Sequence, residues 1–157
     1  MSNIDGMYWH ISQKREEIER LLSEIYELER EKNSLVGFRK EALKAAQEAS
    51  EQLRRRRSVS DSFESLSRDS TLAVLIKNKM QSVFSTENSR TMEAGFDGII
   101  NEADAAVQRV EVEIQQRKDS IRLLEYQIDG LYGDIRAEQQ RLENEKRREM
   151  EQNGCNY

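Results

Sequence analysis

The chain has no proline, one cysteine, one histidine and one tryptophan in 157 residues. Each shortage closes off a class of protein. Proline costs about 3 kcal/mol inside a helix, so its absence leaves long helices uninterrupted. The lone cysteine, Cys155, forms no internal disulfide and reads as a bystander thiol on a frayed tail. With a single histidine, His10, there is no pair of groups for nucleophilic catalysis and no metal-ligand spacing. The seven glycines are scattered and build no phosphate-cradling loop. No cofactor, metal or small-molecule substrate is expected, and the chain reads as non-enzymatic. The longest clearly apolar run is Leu72–Ile76, far short of the roughly 20 residues of a membrane span. Met1 to His10 lacks a basic start followed by an apolar stretch, so no cleavable signal peptide is visible. The expected location is the cytoplasm, or outside it by a leaderless route alongside a partner.

Charge is what the chain has in plenty. Charged residues make up 35% and apolar residues only 36%, which suits long helices with a narrow apolar seam and wet outer faces. The net charge of −5 comes from 25 basic and 30 acidic residues interspersed along the chain. That mixture gives no reason to expect nucleic acid. Most carboxylates stand three or four residues from a Lys or Arg, the spacing of a solvated helix face.

Two segments carry the pattern. From Ile4, alternating steps of three and four reach Met7, Ile11, Lys14, Ile18, Leu21, Ile25, Leu28, Lys32, Leu35, Arg39, Ala42, Ala46, Ala49 and Leu53; twelve of these fifteen are apolar. The same stepping from Phe96 reaches Ile100, Ala103, Val107, Val110, Ile114, Arg117, Ile121, Leu124, Ile128, Leu131, Ile135, Glu138 and Leu142, with twelve of fourteen apolar. Heptads sustained over this length predict coiled-coil helices at 4–57 and 92–150, with a frayed tail at 151–157. Between them, 58–71 is serine-rich and reads as a loop, because short hydroxyl side chains compete for the backbone. Leu72–Phe84 places Leu72, Leu75, Ile76, Met80 and Val83 on one face, the pattern of a short amphipathic helix, and Ser85–Thr91 reads as a turn.

The expected fold is all-α: one domain, an antiparallel hairpin of two long helices, about 75 Å each at 1.5 Å per residue, with the short third helix packed at one end. Alanines at 42, 45, 46, 49, 103, 105 and 106 make a shallow groove near that end for it to fill. One register pairs Leu53 with Phe96, Ala46 with Ala103, Leu28 with Ile121 and Leu21 with Ile128, with Ile4 reaching Glu145. It also sets Lys32 opposite Arg117, a basic layer that a one-heptad shift removes.

Three local features stand out. Arg54-Arg55-Arg56-Arg57 followed by Ser58 and Ser60 suits a helix C-terminal end, an acidic partner or a basic-directed kinase. Tyr8 and Trp9 flank the seam, where they either cover the open end of the hairpin or contact a partner. Gly130 and Gly133, beside Tyr126 and Tyr132, cost about 1 kcal/mol each against alanine in a helix, and permit a bend or a close backbone approach.

An N-terminal Tyr8 followed by Ile11, Ile18, Leu21, Ile25 and Leu28, a variable middle, and an Ile-rich closing helix from Val110 to Ile135 resemble the YwqH-like family. These are small helical proteins of Firmicutes, related in architecture to the ESAT-6-like Trp-X-Gly proteins and encoded beside LXG toxins. The resemblance spans roughly Met7 to Leu142. It implies a partner, chaperone or targeting factor for a toxin exported by type VII secretion, binding the toxin's helical N-terminal domain. Gly95 and Phe96 stand where the family often has a Trp-X-Gly-like turn, without the Trp. The Tyr- or Phe-x-x-x-Asp/Glu export signal is missing, which implies a role beside a partner that carries it. The contact surface expected on this reading is the exposed half of the seam: Tyr8, Trp9, Ile11, Ile18, Phe96, Ile128, Leu131 and Ile135. The alternatives are a homo-oligomeric structural coiled coil, two chains forming a four-helix bundle, and an adaptor switched by phosphorylation near Ser58.

Overall fold

Ser2 starts the first helix. Its Oγ accepts from the Asp5 backbone N–H at 3.1 Å, and its own N–H donates to Asp5 Oδ2 at 3.1 Å. This reciprocal cap satisfies two otherwise orphaned donors. The computed structural model describes residues 2–66, 75, 78, 79 and 86–154. They form two long helices, α1 (Asn3–Leu66) and α2 (Thr86–Gly154), and no strand occurs among the described residues. Leu75, Asn78 and Lys79 are helical and exposed. The remainder of the expected third helix at 72–84, residues 67–71 of the serine-rich stretch, and Cys155 lie outside the described residues.

Two expected boundaries move. The loop at 58–71 is not seen at Ser58–Leu66, which continue α1. Serine costs under about 0.7 kcal/mol per helical position, no Gly or Pro intervenes, and an existing helix gains one hydrogen bond per residue added. The turn at 85–91 is likewise helical from Thr86 onward. There Thr91 Oγ1 donates back to the Glu87 carbonyl at 3.0 Å, so its hydroxyl is satisfied within the helix instead of breaking it.

The chain divides into two units, Met1–Glu29 with Val112–Tyr157, and Arg30–Glu111. In each, α1 and α2 pack antiparallel along the heptad seam. All fifteen seam positions of α1 are buried or half-buried, and so are thirteen of the fourteen on α2. The first unit has the thicker core. Leu21, Ile25, Ile114 and Ile121 are buried, and Ile11, Ile128 and Ile135 form a cluster with Ile4, Met7, Ile18, Leu131 and Tyr132 packed around it. Each buried Ile or Leu contributes about 1.5–3 kcal/mol. In the second unit the buried apolar residues are Ala103 and Val110, which present less surface.

The register differs from the expected one by a heptad. In the first unit Lys14 Nζ donates to Gln127 Oε1 at 2.8 Å, and Arg117 Nε donates to Glu24 Oε2 at 2.9 Å. In the second, Lys32 Nζ lies 3.0 Å from Glu111 Oε1, and Arg39 Nε lies 2.5 Å from Asp104 Oδ1 as an ion pair without hydrogen-bond geometry. The expected register would have brought these residues to Ile135, Glu125, Arg117 and Val110. The observed partners stand six to eight residues closer to the start of α2, a heptad on average. The same seams still face each other, because apolar layers repeat every seven residues. The shift separates Lys32 from Arg117 and gives each a carboxylate, relieving a like-charge layer.

A consequence appears in the first unit at Leu142. It was expected in the seam and is 38% exposed. In the observed register Ile4 lies level with Glu138, so α1 offers no further turn to cover Leu142. Residues 139–154 of α2 are all exposed.

The register predicts a crosslinking pattern. In a Cys155→Ser background, the pair Leu21→Cys with Ile121→Cys should form a disulfide under mild oxidation, and Leu28→Cys with Ile121→Cys should not. A gel showing the reverse would restore the register one heptad away.

Candidate functional site

Of the expected contact residues, the fold turns most inward. Ile11, Ile128 and Ile135 are at most 8% exposed, and Ile18 and Leu131 are half-buried against them. Phe96 is half-buried in the second unit, beside a groove that also involves Ala46, Ser50, Arg54 and Glu93. The three isoleucines hold the two helices together and offer no free surface. Periodicity marks a residue as apolar and in line; it does not say whether the other helix covers it.

Tyr8 and Trp9 are the exception, at 48% and 56% exposed. Trp9 meets His10 edge to face, with ring centroids 5.0 Å apart and planes at 73°, a favoured aromatic geometry. His10 in turn lines a small groove of about 320 Å³ with Lys14, Gln127, Gly130, Leu131 and Asp134. His10 thus stands between the exposed indole and a groove that includes the half-buried Leu131.

The adjoining edge of the hairpin is polar and tied across. Arg15 donates to the Tyr132 hydroxyl at 2.7 Å, and its guanidinium carbon lies 5.8 Å from the ring centroid, near the outer limit of a cation–π contact. This ties α1 to α2 next to Tyr8. Further on, Leu22 and Tyr26 are exposed on α1, and Leu123 and Tyr126 on α2. Tyr8 and Leu22 share one heptad position of α1, as do Val36 and Leu43 in the second unit. That stripe beside the seam was legible as a third apolar heptad position, and sequence reasoning passed over it.

Beyond the covered seam, α2 stabilises itself. Arg141 donates to Glu138 at 2.7 and 3.0 Å and to Glu145 at 2.6 Å. The Arg141 hydrogen bond holds the Glu138 carboxyl below the usual carboxylate range, and Glu138 with Glu145 pushes the guanidinium up. Because the carboxyl is depressed in the folded state, its contribution is present above the unfolded value and lost as pH falls through the folded one.

The arrangement is that of a helical hairpin with an exposed aromatic patch on one unit. Comparisons with protein-family models, with curated proteins and with solved structures give no match. Among the described residues, no helix is long and apolar enough to cross a membrane.

Gly130 and Gly133 face open space: a Cβ built at either would meet nothing within 4 Å, and neither has a positive φ. Neither glycine is therefore required by packing between α1 and α2. Replacing either with alanine should stabilise the chain by about 0.5–1 kcal/mol, raising Tm by a few degrees in a thermal melt followed by circular dichroism. An unchanged or lower Tm would mean that the backbone there needs glycine.

Proposed function

We propose that the chain is a non-enzymatic helical interaction protein, a partner or targeting factor for an LXG toxin exported by type VII secretion. The observation that carries this reading is the pair Tyr8 and Trp9, two large aromatics left about half exposed, with Trp9 set edge to face against His10. Exposed Trp and Tyr are typical anchors of protein interfaces. The toxin as partner rests on the resemblance to the YwqH-like family, as do cytoplasmic residence and export beside a partner that carries the signal. On this reading the helical N-terminal domain of the toxin lays an apolar helix face against the first unit. Gly130 lets the backbone of the incoming helix approach closely.

The test uses Trp9, the only tryptophan, as its own reporter. Tagged protein recovered from its native cells should bring with it a protein of LXG type with a helical N-terminal domain. Adding that purified domain should shift Trp9 fluorescence to the blue as the indole leaves water. Tyr8→Ala with Trp9→Ala should cut recovery at least tenfold, as expected for anchors worth about 2 kcal/mol or more, while leaving helicity unchanged. Undiminished recovery with the double variant would remove the aromatic pair from the interface. Recovery of the chain alone would count against the toxin partner.

A further inference from the structure

One face of α2 in the first unit points away from α1. In alternating steps of three and four it runs through Val112, Gln116, Asp119, Leu123, Tyr126, Gly130, Gly133 and Ala137, and on to Gln140 and Asn144. On a helix this line lies opposite the buried one of Ile114, Ile121, Ile128 and Ile135. Tyr126 is 77% exposed, the most of any large apolar side chain among the described residues, and Leu123 and Val112 are more than half exposed.

The next residues along this face are Gly130 and Gly133, each costing a helix about 1 kcal/mol against alanine. The hairpin itself accounts for neither, since a Cβ at either would meet nothing within 4 Å and neither has a positive φ. Two large exposed side chains followed by a two-glycine notch make a ridge and a groove, the relief by which one helix packs against another.

That relief is complementary to itself when inverted. A two-fold axis at the level of Ile128 sets Leu123 of each copy on Gly133 of the other, and Tyr126 on Gly130. Both notches are then filled by both ridges. The charges at the two ends of the face agree with the same axis. Asp119 falls level with Ala137 and Arg136 of the other copy, so each end of the contact brings opposite charges together; Asp119 and Arg136 are both exposed. Arg122 and Asp129 stand beside the line, on its solvent rim. A shift of one heptad would instead set Leu123 on Tyr126 and leave the glycines facing Gln116 and Asp119.

We infer that this face of α2 is where a second copy of the chain docks. The two copies lie antiparallel along it, and Leu123 and Tyr126 of each fill the glycine notch of the other. Both sides use the same residues, so the contact closes at the dimer. From Val112 to Asn144 it is about 48 Å long at 1.5 Å per residue and one helix wide. A contact so narrow is at the small end for protein pairs, and the dimer should dissociate on dilution. It uses neither Tyr8 nor Trp9, so it does not rest on the toxin-partner reading.

Sedimentation of the full chain over a range of concentrations tests it. The wild type should pass from monomer to dimer as concentration rises. Gly130→Gln with Gly133→Gln should weaken dimerisation at least tenfold. Glutamine is a better helix former than glycine, so circular dichroism should show this variant at least as helical as the wild type, and its lost dimer is not a lost fold. Tyr8→Ala with Trp9→Ala should dimerise like the wild type. In a Cys155→Ser background, chains carrying Leu123→Cys mixed with chains carrying Gly133→Cys should form a mixed disulfide in preference to either homodisulfide. A wild type that stays monomeric overturns the inference. So does a dimer that survives the two glutamines, one that is lost with Tyr8 and Trp9, or a mixed disulfide no more abundant than the homodisulfides.

Discussion

Four cations sit at apolar positions of the heptad seam: Lys14, Lys32, Arg39 and Arg117. Each is half-buried, and each reaches an oxygen on the facing helix, at Gln127, Glu111, Asp104 and Glu24. A cation in a seam is costly when its charge is left unmet. The apolar layers cannot decide where the helices stop sliding, since a shift of seven residues brings the same kinds of side chain together. The cations can decide, because only some offsets bring a carboxylate or amide within reach. Much else follows from that choice. It determines which turn of α2 is the last to be covered, and so it leaves Leu142 in water.

The two units then use the same seam differently. The first fills it with isoleucine and leucine, and its core excludes water from Ile11, Ile128 and Ile135. What it leaves outside are aromatics beside the seam. The second has alanine at four of its twelve seam positions, Ala42, Ala46, Ala49 and Ala103, which brings the helices together there without covering their flanks. Phe38, Val36, Leu43 and Ile99 consequently remain exposed. In both units the apolar surface open to a partner lies one step beside the periodic positions, not on them.

That distinction explains how much the sequence disclosed. The seam was legible almost residue by residue, because burial at 3.5-residue spacing is a direct consequence of two helices lying side by side. The antiparallel hairpin was legible too, from two seams of similar length. The register was not, since hydrophobic periodicity is degenerate over one heptad; weighing Lys32 against Arg117 would have pointed to the shifted one. Helix ends at Ser58–Leu66 and Thr86–Thr91 escaped because serine and threonine are only mildly unfavourable once a helix is running. For the candidate site, Tyr8 and Trp9 were legible as residues off the seam. Ile11, Ile128 and Ile135 were not surface at all, because the residues that best announce a seam are the ones the opposite helix covers.

The uncovered stretch of α2, residues 139–154, is held by hydrogen bonds and charge pairs along its own length, such as those of Arg141 with Glu138 and Glu145. No apolar layer depends on it. Its stability is a local property, set turn by turn by its own composition and by ionic strength. Such a segment is free to drift in sequence and length over evolutionary time while the covered seam beside it stays constrained.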